Sequence, residues 1–310
     1  MSEVICVGHA PDFDGIGSMM LMVNRFDLKP FDPAGDNKRV VWPYNYRGYE
    51  FPWDLIGTET LVYMVDVSLP IDDMIRLDNL CRLVVLDHHE TLIRDMEERG
   101  VTFEGIQEAG RAAIQLTWEW LYGPHEAVPQ WVEYIGLWDV YDHSDPDTVY
   151  FQWGLRGVDS SLGAEVWADL LNEAFYEQPA PLQDGFESLR EAVTSSIIER
   201  GIIVHDYVQQ MNKQFEARAF EATFEGHTVL AVNGPVGGFQ AVKEIFNPEK
   251  HAFVLTFTYG PLGSDIGVRV GLYGGDQTGV NCGEIARRFG GGGHAGAAGF
   301  TVNTFSEIGL

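Results

Sequence analysis

Positive charge is what this 310-residue chain has least of: 20 Lys and Arg stand against 46 Asp and Glu, a formal net charge of −26, and only five of the cations are Lys. Non-specific binding to long nucleic acid or anionic membranes rests on cationic contacts, and a surface this negative repels both. A histone-like or polybasic membrane-surface role is excluded, and neither a long duplex nor a membrane is expected as a partner. Long hydrophobic runs are missing too, so no membrane-spanning helix is expected. The opening MSEVICVGHAPDFDG has no basic segment, long apolar core or cleavage site, so no signal peptide is expected. Cysteine is scarce: Cys6, Cys81 and Cys282 are odd in number, far apart and without C-x-x-C spacing. That excludes a disulfide framework and a cysteine zinc site, and the three read as reduced thiols of a cytoplasmic protein. No G-x-x-x-x-G-K-[ST] loop is present, which argues against a Walker-type nucleoside triphosphatase.

What is present suffices for a folded protein: 45% of residues are hydrophobic and 12% aromatic. The length fits about two domains at roughly 100–200 residues each. The apolar runs VICVG (4–8), RVVWPY (39–44), TLVYMVDV (60–67) and RLVVLD (82–87) are short and valine-rich. Such runs suit strands buried on both faces of a parallel sheet. GIGSMMLMVNRF and LPIDDMIRLDNL between them read as helices, the second with Pro70 near its first turn and Ser68 as its cap. Helical patterns follow over 109–122 and 129–141, and 163–220 is helix-rich without a strand signal. After Glu225-Gly226 the pattern resets to three strands, HTVLAVN, HAFVLTFTYG and SDIGVRVGLYG, with a helix over 237–246. Asn281 and Glu284 form a capping box for a helix that runs into a glycine tract at 290–293. The fold class is therefore α/β: a larger parallel-sheet domain over 1–190, a helical connector over 191–222 and a smaller mixed α/β domain over 223–310.

Chemistry gathers at the strand ends, where ligands bind in open α/β sheets. His9, Asp12 and Asp14 follow the first strand, Asp66 ends the third, and Asp87, His88 and His89 end the fourth. Asp139 lies in the helical stretch YIGLWDVYDH. Each has an ordinary reading taken singly, as a helix cap, a loop residue or a solvated helix face. Together they put many carboxylates at one sheet edge with no Lys or Arg interleaved, a repulsive arrangement that divalent metals would resolve. Mixed carboxylate and imidazole donors suit manganese, iron, cobalt or zinc better than calcium.

These segments, in this order, resemble the motifs of the DHH phosphoesterases: His9-Ala-Pro-Asp12-Phe-Asp14-Gly-Ile-Gly, Asp66 in VDVS, Asp87-His88-His89 and Asp139. The strand bearing Arg269, with FGGGGHAGAAGF at 289–300, resembles the associated C-terminal substrate-binding domain of that family. The aromatic segment around Asp139 is similar to the nano-RNase and cyclic-nucleotide phosphodiesterase branch. His9 stands three residues before Asp12, where family members use two or four. The resemblance implies two manganese ions, with magnesium, cobalt or iron as alternatives. Asp66 would bridge them, His9 and Asp12 completing one site and Asp14, His88 and Asp139 the other. His89 would contact the scissile phosphate, with Asp87 orienting a histidine. Arg269 and the segment Gly291, Gly292, Gly293 and His294 would hold a neighbouring phosphate, as glycine amides do in anion-binding nests. The implied activity is hydrolysis of short oligonucleotides to mononucleotides. Alternatives are a cyclic mono- or dinucleotide phosphodiesterase, a nucleoside bisphosphate phosphatase and, in another class, a non-catalytic nucleotide sensor. A monomer and a homodimer are both compatible with the sequence.

Overall fold

Alternation along each buried strand builds the first half of the molecule. The structure is a computed structural model that describes residues 3–35, 37–46, 50–175, 192–234, 242–262 and 265–309. Elements run β1 (Glu3–His9), α1 (Phe13–Phe26), β2 (Lys29–Pro30), β3 (Arg39–Tyr44), β4 (Thr60–Val65), α2 (Ile71–Leu80), β5 (Arg82–Asp87), α3 (Glu90–Arg99) and β6 (Glu104–Gln107). The helices α4 (Ala113–Tyr122), α5 (Gln130–Asp139), α6 (Pro146–Arg156), α7 (Glu165–Phe175) and α8 (Ala192–Glu216) follow. The six strands form one parallel sheet in the order β2-β3-β1-β4-β5-β6. Val4, Cys6, Tyr63, Val65, Val84 and Leu86 face the core that holds α1, α4 and α5. Their neighbours Ile5, Val7, Val62, Met64, Leu83 and Val85 face the other, packed on α2 and α3. Side chains of period two buried on both sides account for the unbroken apolar runs. Because the chain lays β3 on one side of β1 and β4 on the other, the order reverses at β1, and the C-terminal strand ends there open a crevice.

The chain divides into two units, Met1–Val204 and His205–Leu310, and the division falls within α8. The boundary expected between 190 and 191 lies outside the described residues. In the second unit β7 (Phe220–Phe224), β8 (His227–Asn233), β9 (Val254–Leu262), β10 (Asp265–Tyr273), α9 (Cys282–Arg288), β11 (Gly292–Gly293) and β12 (Ala297–Val302) form a mixed sheet, β11-β12-β10-β9-β8-β7, with α9 on its core. Only β8 and β9 pair in parallel among the described residues. Glu225 (φ 50°) and Gly226 (φ 78°) make the two-residue turn between β7 and β8; paired positive φ values are what a tight hairpin demands. Asn281 caps α9, its Oδ1 accepting from the Glu284 amide at 3.0 Å.

The structure departs from the sequence reading in several places. Ser68 does not cap α2; Pro70 holds that position and supplies no side-chain acceptor. Residues 237–241 of the helix expected over 237–246 lie outside the described residues, and 242–245 form a turn. β7 begins at the end of the stretch read as helical, and β11 and β12 occupy the glycine-rich tail.

Candidate metal centre

Eight side chains converge where β1, β4 and β5 end. His9 is the last residue of β1; the loop turns so that His9 Nδ1 lies 2.7 Å from Asp12 Oδ2 and 3.4 Å from Asp66 Oδ2. The three-residue spacing therefore still brings His9 to the cluster. Asp12 caps α1 by accepting from the Gly15 amide at 3.1 Å. Gly15 is obligatory, since a Cβ there would stand 2.1 Å from the His9 carbonyl oxygen. Asp66, immediately after β4, is buried and left-handed (φ 57°), a strain of about 1–3 kcal/mol for a residue other than glycine. That turn aims one oxygen each way: Oδ2 at His9, and Oδ1 at His88 Nε2, 3.4 Å away. His88 Nε2 also lies 3.2 Å from Asp139 Oδ2 and 3.7 Å from Asp14 Oδ2. Three groups can hold a metal ion, their donor atoms within 4.8 Å of one another: His9, Asp12 and Asp66; Asp14, His88 and Asp139; and Asp66, His88 and His89.

Asp14 is fixed by a neighbouring helix on the same face of the sheet. Its Oδ2 accepts from the Ala113 amide at 2.8 Å and its Oδ1 from the Ile114 amide at 2.6 Å. These are first-turn donors of α4, whose preceding residue, Ala112, has no side-chain oxygen to satisfy them. Each Asp14 oxygen keeps a lone pair for another partner.

Electrostatics show what the cluster lacks. Burial, then the charges of Asp66 and Asp139, push Asp14 well above the usual carboxylate range. Burial and the charge of Asp12 do the same to Asp66. Asp139 is raised by burial, with His88 opposing. Burial would depress the His9 imidazole, but hydrogen bonds and charge from Asp12 and Asp66 raise it to about 10. Asp12, although burial works to raise it, is held low by the bond to His9. Carboxylates this close cannot all ionise without added positive charge, and four of them (Asp12, Asp14, Asp66, Asp139) match the charge of two divalent cations. The donor set fits such ions. A ligating imidazole must be neutral, so metal uptake near neutral pH should displace the His9 proton and tighten as pH rises toward about 10. Calorimetric manganese titrations in buffers of different ionisation enthalpy should show net proton release, with about one proton fewer in His9→Ala. Identical release in the variant would exclude His9 as a ligand.

Asp87 is fully buried and organises the turn after β5. Its Oδ1 accepts from the His88 amide at 2.7 Å and the His89 amide at 3.1 Å, and lies 2.6 Å from His89 Nδ1. Burial lowers the His89 imidazole, but Asp87 more than reverses this and lifts it to about 9, which fixes Nδ1–H toward Asp87 and turns Nε2 away. Asp87→Asn keeps the shape and loses the charge. In the metal-free protein the His89 titration, followed by NMR, should fall from about 9 toward the ordinary imidazole range. An unmoved titration would mean that Asp87 does not hold the ring.

In the second unit Arg269, exposed on β10, donates from Nη2 to the Pro261 carbonyl at 2.9 Å. It lines a cavity of about 410 Å³ with Gly234, Thr256, Thr258, Tyr273 and Ala297–Gly299. The glycine tract differs from an open anion nest. Gly290 and Gly291 donate their amides to the Arg287 and Ala286 carbonyls, Gly292 and Gly293 pair with β12, and His294 donates its amide to the Ala297 carbonyl. Gly291, Gly292, Gly293 and His294 are not among the residues lining the Arg269 cavity; Ala297, Ala298 and Gly299 are. The sequence reading missed these and the two threonines, because alternate residues of β9 and β10 reach the cavity only through a pairing that sequence does not display.

No family model matches the chain, and no curated protein does. Among solved structures, it is similar to a pGpG-specific phosphodiesterase, PggH, from Vibrio cholerae (14% identity, covering 97% of this chain and 93% of that one, TM-score 0.45). It is similar to an uncharacterised protein from Helicobacter pylori over 97% of this chain and 93% of that one (14% identity, TM-score 0.38). A third similarity is to the DHH domain of a member of the s1p family of ribosomal proteins (13% identity, 96% and 82% coverage, TM-score 0.42). Among the described residues no helix is long and apolar enough to cross a membrane.

Proposed function

We propose that the chain is a metal-dependent phosphodiesterase of the DHH type that hydrolyses short oligonucleotides to mononucleotides, with two manganese ions per chain. The observation that carries this reading is Asp66, whose two oxygens face two separate carboxylate–imidazole groups. His9 and Asp12 would hold one ion, Asp14, His88 and Asp139 the other, and Asp66 both. Paired divalent ions supply water activation at neutral pH and neutralise phosphoryl oxygens. The chain's own residues do the rest. The Asp87 carboxylate accepts from His89 Nδ1–H and turns Nε2 away, where a protonated ring can donate to a phosphoryl oxygen. Asp14, locked to α4, keeps the donor geometry fixed before substrate arrives. Arg269, which lines a cavity and has no carboxylate partner among the described residues, would supply a further phosphate contact. The −26 charge disfavours long polyanions, which favours short substrates.

The test is a manganese-dependent assay on dinucleotides, a longer RNA, cyclic dinucleotides, cyclic mononucleotides and a nucleoside bisphosphate. Dinucleotides are expected to turn over fastest. Preference for a cyclic nucleotide or a bisphosphate would replace the substrate assignment, and binding without turnover would make the chain a sensor. Arg269→Ala should raise the dinucleotide KM about tenfold or more, the effect of losing one charge-assisted contact of roughly 1.5–3 kcal/mol. Hydrolysis of bis-p-nitrophenyl phosphate, which offers no second phosphate, should change little. Equal damage to both substrates would place Arg269 at the reacting phosphate instead.

A further inference from the structure

Arg156, the last residue of α6, is held by rings. Its Cζ lies 5.1 Å from the Phe13 ring centroid, 5.3 Å from that of Trp138 and 5.5 Å from that of Trp153. Two of these rings sit between or beside proposed ligands: Phe13 separates Asp12 from Asp14, and Trp138 precedes Asp139. The guanidinium is thereby fixed next to both ligand-bearing segments. Nη1 donates to the backbone and side-chain oxygens of Gln152, both at 2.9 Å. Nε and Nη2 form no hydrogen bond among the described residues, and the residue is exposed.

Several of the chain's arginines pair with carboxylates. Arg82 meets Glu104, Arg111 meets Glu119 and Arg288 meets Glu225. Arg156 has no carboxylate within ion-pair distance among the described residues; neutral rings and an amide orient it, and the Asp12 carboxylate acts on it only at longer range. The open edge, Nε with Nη2, is the one that makes two parallel bonds to a phosphate. Stacking and the Gln152 bonds fix the fork before a ligand arrives, so little rotamer freedom remains to be lost on binding.

We propose that Arg156 binds a phosphoryl oxygen of the ester seated at the Asp/His cluster, as a substrate-binding residue of the first unit. The inference rests on the phosphodiesterase reading and adds to it the cation that recognises the reacting phosphate. Arg156 differs from Arg269 in a measurable way: a contact to the phosphate at the metal cluster serves every diester, including one with nothing beyond the scissile group.

The experiment uses the full-length protein with saturating manganese and compares wild type with Arg156→Gln and Arg156→Lys. Arg156→Gln should raise KM for both bis-p-nitrophenyl phosphate and a dinucleotide by about tenfold or more, with unchanged manganese content and melting temperature. Arg156→Lys should recover only part, because an ammonium lacks the fork. Calorimetric binding of a phosphorothioate dinucleotide should weaken in parallel. Unchanged kinetics in Arg156→Gln would overturn the proposal. So would loss of manganese or of melting temperature in both variants, which would make Arg156 a structural brace. A wild type that hydrolyses no diester but binds the phosphorothioate in an Arg156-dependent way would refute the catalytic reading and sustain this one. A wild type that neither hydrolyses nor binds would refute both.

Discussion

Asp66→Asn is expected to abolish metal-dependent hydrolysis while making the metal-free protein more stable. The two halves have one cause. An asparagine has the same shape and tolerates the left-handed backbone at this position, so the turn after β4 should survive. It cannot place a negative oxygen toward His9 and another toward His88, so both donor groups lose a member. The fall in kcat/KM should be on the order of a thousandfold or more, beyond the roughly 10–100-fold typical when only a ligand's hydrogen-bond partner is changed. The stability change follows from the direction of the Asp66 pKa. Its carboxyl is held well above the ordinary range in the fold by burial and by Asp12. The unfolded chain therefore ionises first, and native stability is lost as pH rises from the unfolded carboxylate pKa toward the folded one. An amide has no proton to lose and escapes this loss at neutral pH. Without metal, Asp66→Asn should melt above wild type, by roughly 2–4 °C for each kcal/mol relieved. With manganese the order should invert, because only wild type gains the full binding energy. Near-normal turnover with two ions bound would sink the shared-carboxylate arrangement. A metal-free variant less stable than wild type would show that repulsion within the cluster does not govern its stability without metal.

Much of the site is visible in the sequence because it is built from strand ends. A strand of fixed direction delivers its next residues to one edge, so His9, Asp66, Asp87, His88 and His89 could be placed together once β1, β4 and β5 were read as parallel neighbours. Asp139 was legible only as part of a motif set, since nothing in the α5 pattern tells which way its last residue faces. Other parts are not local and left little trace. Asp14 is secured by amides 99 and 100 residues away, and the only sign is that α4 begins at Ala113 behind an alanine that cannot cap it. Arg156 lies 17 residues beyond Asp139 on the next helix, and only the three-dimensional stacking of Phe13 and Trp138 reveals it. The glycine tract is a further non-local case. Gly292 and Gly293 form an edge strand against β12, where bare backbone lets the strands approach, a pairing that composition does not display. A Cβ at Gly293 would stand 2.5 Å from the Ala298 Cα.

Gly201 is the sharpest case of information absent from the local sequence, and it sets local propensity against packing. It lies inside α8, where replacing glycine with alanine should gain about 1 kcal/mol of helix propensity if nothing else intervened. Something does. A Cβ at Gly201 would stand 1.7 Å from the Tyr150 carbonyl oxygen and 2.9 Å from the Gly154 amide nitrogen, and a Cβ at Gly154 would stand 1.9 Å from the Ile197 carbonyl oxygen. α6 and α8 therefore touch backbone to backbone, and no rotamer change can clear a main-chain atom. The helices would have to part, opening the apolar packing around Phe151, Leu155 and Ile197. Overpacking of this kind ordinarily costs about 1–3 kcal/mol and occasionally more, enough to outweigh the propensity gain. Gly201→Ala is thus expected to destabilise the protein by up to about 2 kcal/mol net in chemical denaturation, the reverse of what the helix alone predicts. Any rise in stability would mean that the two helices do not meet at these glycines.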